Sequence, residues 1–127
     1  MSANTTRHQD VVTRYLEAWN TTGAVALAKA VADVWTADGT YTDPVSDVRG
    51  HDQITAMIAG TQEQFPGFVF RLVGEADGHH DTARFSWELV HESEGSAPVA
   101  GSDVITLDAE DRITAVYGFF DRIPDAA

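Results

Sequence analysis

The chain has 127 residues, 43% of them hydrophobic, enough for one domain (residues 1–127) with a real core and too little for two. Twenty acidic residues against eight basic ones give a net charge of −12, and the cations form no cluster, which excludes a nucleic-acid binder. The absence of cysteine rules out disulfides, thiolate catalysis and Cys-ligated zinc.

The opening MSANTTRHQD is polar, lacks the apolar stretch of a signal peptide and predicts a cytoplasmic protein. No apolar run approaches the ~18–20 residues of a membrane span, so no membrane partner is expected. Over residues 7–20, Val11, Val12, Tyr15, Leu16 and Trp19 form the stripe of an amphipathic helix, with Thr5 or Thr6 as its N-cap. A second helix is predicted over 24–36, with Leu27, Val31, Val34 and Trp35 on one face. Residues 39–43 read as a short strand stopped by Pro44, and 46–50 as a loop. A third helix over 51–64 turns Ile54, Met57 and Ile58 inward.

From Pro66-Gly67 onward the pattern alternates. A strand starting at Phe68 leads to a hairpin turn at Asp77–Asp81. The next strand sets Phe85, Trp87, Leu89 and His91 on one face, opposite Arg84, Ser86 and Glu88. Strands over 99–107 and 112–120 follow, joined by the acidic turn Asp108–Asp111. Helices first and an antiparallel meander after them define an α+β domain.

Two aspartates and one tyrosine stand out. Asp43 ends a strand before proline, where a carboxylate can cap a turn or serve as a base. Asp103 shares an apolar strand face with Val99, Gly101, Ile105 and Leu107; burial there raises a carboxyl pKa, unless the face is solvated or Arg71, Arg84 or Arg112 neutralises the acid. Tyr15 lies on the buried stripe of the first helix, as either core or a hydrogen-bond donor. Trp87 is the leading candidate to line a pocket for a flat ligand, with Gly101 leaving space beside it. Trp19, Trp35, Tyr41, Phe65, Phe85, Leu89, Ile105 and Phe119 complete the candidate substrate-binding set. His79-His80-Asp81 sits at a hairpin tip where adjacent side chains point apart, so no metal is assigned. No glycine-rich phosphate loop or Gly-x-Ser-x-Gly motif is present, so no cofactor and no serine triad are implied.

The element order resembles the nuclear transport factor 2-like superfamily, home of the SnoaL-like polyketide cyclases and the ketosteroid isomerases. The resemblance rests on Val12–Asn20, Trp35–Pro44, Gly50-His51-Asp52-Gln53-Ile54 and Arg112-Ile113-Thr114, and spans about residues 8–122. It implies a cone-shaped, strongly curved mixed or antiparallel sheet wrapped around three N-terminal helices, and a homodimer. It also maps the isomerases' Asp-Pro-Val base onto Asp43, their helix-one tyrosine onto Tyr15 and their third-strand aspartic acid onto Asp103. In a SnoaL-like aldol cyclase, Asp103 would instead be an ionised base. The expected function is cofactor-free enolate chemistry, isomerisation or cyclisation, on a hydrophobic carbonyl-bearing polycyclic or polyketide-like small molecule. An epoxide hydrolase or hydratase of the same fold, and a non-catalytic small-molecule-binding dimer, are the alternatives.

Overall fold

The computed structural model describes residues 3–124; residues 1–2 and 125–127 of the expected domain lie outside the described residues. Helix α1 (Ala3–Trp19) starts upstream of the N-cap expected at Thr5 or Thr6. Its buried stripe is the one the spacing predicts, Val11, Val12, Tyr15, Leu16 and Trp19, extended at its start by His8. Gly78 makes room for the imidazole, since a Cβ there would sit 2.4 Å from His8 Nδ1. At the other end the Asn20 side chain imitates a peptide group: it donates to Phe70 O at 2.9 Å and accepts from Phe70 N at 2.8 Å. Gln62 Nε2 donates to the carbonyls of Trp19 and Thr21, which fastens the end of α1 to a later helix.

Helix α2 (Ala24–Val34) stops two residues short of its predicted end. Trp35 is already extended and pairs with Ile113, so it opens strand β1 (Trp35–Asp43). The predicted loop over 46–50 is largely strand β2 (Ser46–Arg49), joined to β1 by the two-residue turn Pro44-Val45 and paired through Asp43↔Ser46. Helix α3 (Gly50–Gln64) follows, with Ile54 and Ile58 buried. Strands β3 (Phe68–His79), β4 (Thr82–His91), β5 (Val99–Leu107) and β6 (Ile113–Arg122) complete the chain. Strand β3 runs past the expected turn: Asp77, Gly78 and His79 are all paired, and only His80-Asp81 turn. His80 has a positive φ, which swings its ring back to within 3.1 Å of the His79 ring instead of away from it.

The six strands form one unclosed sheet in the order β2-β1-β6-β5-β4-β3, in which the β1–β6 pair is parallel and every other pair antiparallel. Register shifts interrupt the pairings of β1 with β6, β3 with β4 and β5 with β6, the irregularities that let a sheet bend. The resulting curved α+β architecture encloses a core shared by all three helices and the concave face of the sheet. Among the described residues no helix is long and apolar enough to cross a membrane.

Candidate active site

A cavity of about 240 Å³ opens between the helices and the concave face of the sheet. Tyr15, Asp43 and Asp103, separated by up to 88 positions in the chain, all line it. Asp103 comes from the inward face of β5 and is only 3% exposed. Its Oδ2 accepts a hydrogen bond from the Tyr15 hydroxyl at 2.7 Å, and its Oδ1 accepts one from Trp87 Nε1 at 3.1 Å. Burial pushes the Asp103 carboxyl up to about 6, against the two hydrogen bonds, which favour its charged form, and with a smaller push from the Asp43 charge. Burial also drives the Tyr15 hydroxyl well above the usual tyrosine range, followed by the Asp103 charge, so it stays a proton donor. Asp103 is buried and, among the described residues, no arginine pairs with it, so neither the solvated-face nor the arginine-neutralised alternative open from sequence describes it.

Asp43 sits on the neighbouring side of the cavity floor, at the end of β1. The Pro44-Val45 turn aims it: Val45 N donates to Asp43 Oδ1 at 2.9 Å, and the Tyr41 hydroxyl donates to Oδ2 at 2.6 Å. Asp43 therefore caps the turn and lines the cavity at once. Tyr41, expected only as lining, is the partner of Asp43. Burial, then Asp103, raises its pKa, so it too remains protonated.

Two glycines make this arrangement possible. Gly118 on β6 pairs with Asp103 and lies between the strands that carry the two acids; a Cβ there would sit 2.9 Å from Asp103 Oδ1 and 3.1 Å from Asp43 Cβ. Gly101 lies under the Trp87 indole, where a Cβ would come within 2.4 Å of Cζ2. The small residue thus leaves space for Trp87 rather than for a ligand.

The family model of the SnoaL-like domain matches residues 12–116. The chain belongs to the SnoaL-like family. A SnoaL-like family protein of Agrobacterium tumefaciens with a provisional isomerase assignment is 37% identical, with a TM-score of 0.87 over 91% of this chain and 98% of that one. A provisional SnoaL-like polyketide cyclase of Jannaschia sp. shares the fold at 17% identity, with a TM-score of 0.76 over 95% of this chain and 90% of that one. A de novo designed protein with a curved β-sheet shares it at 12% identity and a TM-score of 0.69, covering 95% of this chain and 88% of its own. The architecture alone therefore carries no activity. No curated protein matches.

In this SnoaL-like chain the candidate residues divide into three groups. Trp19, Tyr41, Phe65, Trp87 and Leu89 line the cavity as expected. Trp35, Phe85 and Ile105 are buried behind its wall, and the rings of Trp35 and Phe85 pack against Tyr15 at 5.5 and 5.4 Å. Their contribution is to hold the tyrosine. Phe119 is on the wrong side of the sheet, 59% exposed. A one-residue bulge is the reason: Ile113 pairs with Leu107 but Val116 with Ile105, so the inward positions switch from odd to even numbers along β6. Phe120 takes the cavity position instead. Phe70 was also missed as lining, although it shares one strand face with Phe68 and Leu72, and its ring packs against both Trp19 and Trp87. Val45 and Ile123 also line the cavity and lie outside the periodic elements, whereas Thr61 and Gln64 continue the Ile54-Met57-Ile58 face of α3 at helical spacing and were hidden by being polar. Among the described residues no group of three or more possible metal ligands converges.

Proposed function

We propose that this protein is a cofactor-free acid/base enzyme that moves a proton next to the carbonyl of a hydrophobic small molecule, with Asp103 as the base. One observation carries the choice: Asp103 is a buried carboxylate held by two neutral donors, Tyr15 and Trp87, inside an apolar cavity. Both bonds favour the ionised form, while burial raises the proton affinity towards neutrality, the combination a general base needs. Asp43, held by the Pro44-Val45 turn and by Tyr41, is the second carboxylate of the site and is less buried than Asp103.

In this scheme Asp103 takes the α-proton, and negative charge moves from its carboxylate to the substrate oxygen. The Tyr15 hydroxyl then has less charge to solvate at Asp103 and more at the enolate, so its donation follows the charge. Proton return at a different carbon gives isomerisation; attack of the enolate on a second carbonyl gives cyclisation. A cavity of about 240 Å³ lies below the ~300–1,000 Å³ usual for drug-sized ligands. It favours a substrate of one or two rings over a four-ring steroid. No arginine lines the cavity among the described residues, which weighs against the hydrolytic alternative.

The test is conversion of a one-ring β,γ-unsaturated ketone to its conjugated isomer, followed by ultraviolet absorbance, together with loss of α-proton signal in heavy water. Asp103→Asn is expected to slow both by about two to four orders of magnitude. Wild-type rates in the variant would end the assignment of Asp103 as base.

A further inference from the structure

The cavity combines two carboxylates with a wall of aromatic rings and, among the described residues, contains no lysine, arginine or histidine. We propose that it binds hydrophobic amines in their protonated form, with the ammonium group against Asp43 and Asp103 on the cavity wall. The inference rests on the cavity being the ligand site but not on any turnover there.

Three features support it. Asp43 and Asp103 both line the cavity, carried by β1 and β5, and the intervening β6 presents only Gly118 against them, so no side chain separates the two acids. Trp19, Tyr41, Phe70, Trp87 and Phe120 surround the rest of the ligand, and ring faces attract a cation that water no longer shields. Finally, the desolvation of Asp103 is already carried by the fold and has no cationic relief within it. Its polar partners are the neutral Tyr15 and Trp87; the other titratable groups facing it are Asp43 and Tyr41 of β1, and β6 offers only Gly118. A protonated amine supplies the missing charge with strong N–H donors. A carboxylate or phosphate ligand meets the opposite field, reinforced by the overall −12.

One rigid skeleton with three head groups tests this: 1-aminoadamantane, 1-adamantanol and 1-adamantanecarboxylate, each titrated by calorimetry against the intact protein. At pH 8 the amine is expected to bind about tenfold or more tighter than the alcohol, and the carboxylate not at all. An aliphatic amine stays protonated well beyond pH 8. The amine preference should therefore narrow towards pH 5, as Asp103 with its pKa near 6 takes up a proton. It should also shrink in Asp43→Asn and again in Asp103→Asn. An alcohol that binds as well as the amine at pH 8, no binding of the amine, or a preference unchanged from pH 8 to 5 would each overturn the proposal; the wild-type titrations alone decide this if a variant fails to fold. Amine binding without any ketone turnover would sink the acid/base reading and leave this one standing. Turnover without amine preference would do the reverse.

Discussion

Asp103 sits where its charge is most costly to the fold, and that cost is measurable apart from catalysis. Its folded pKa of about 6 lies above the 3.8 of a free aspartate, so the folded state holds the proton more tightly than the unfolded chain does. Its stabilising contribution is complete below about pH 3.8 and is lost as pH rises through 6. The loss is on the order of 2–3 kcal/mol. Asp103→Asn removes this titration while keeping the shape. Between pH 4 and pH 7 the stability of the variant relative to wild type should therefore rise by roughly that amount, read from urea denaturation at both values. A constant difference across the range would mean that Asp103 is not desolvated. The same ionisation sets the activity profile: kcat/KM should fall below pH 6 as the base is protonated, an acid limb absent from the residual rate of Asp103→Asn.

At the scale of elements, α1 is held at both ends by side chains rather than by its apolar stripe alone. Arg7 near its start donates to the carbonyls of His80 at 3.0 Å and Asp108 at 3.1 Å, and pairs with Asp81 and Asp111. One guanidinium thus ties the helix to the β3–β4 and β5–β6 turns together. Arg7→Met keeps the aliphatic stem and removes the fork, so it should cost about 1–3 kcal/mol, a cost that shrinks as salt screens the ionic share. Equal melting temperatures for variant and wild type would show the clamp to be idle. Arg7 also illustrates what sequence could and could not reveal. Helices α1 to α3 and the four long strands were legible because apolar residues repeat at helical or alternating spacing. The Tyr15–Asp43–Asp103 grouping was legible only through family resemblance. Contacts set by turns left no periodic trace: Arg7 on Asp111, Asn20 on Phe70 and the bulge that turns Phe119 outward. A strand pattern predicts faces only until one extra residue is inserted, and β6 carries that residue between Ile113 and Val116.

The misplaced phenylalanine matters most at the scale of the whole molecule. Phe119 and Tyr117 stand on the outer face of the sheet, 59% and 46% exposed, with none of the described residues covering them. On the same face Glu88 accepts from both Arg71 and Arg122, so the patch presents both signs of charge beside its aromatic centre and can face a copy of itself without a clash of like charges. A second copy of this chain is therefore the expected occupant. Each copy brings a net charge of −12, so the long-range field opposes the association that the aromatic patch favours. Added salt weakens the first effect and leaves the second intact. Sedimentation velocity should accordingly show a dimer whose population grows between 0.05 and 0.5 M sodium chloride. Phe119→Glu should return it to monomer without disturbing the cavity, because that side chain points away from Asp103. A monomer at every salt and protein concentration would remove the dimer, and a dimer that dissolves as salt rises would place charge pairing rather than Tyr117 and Phe119 at its centre.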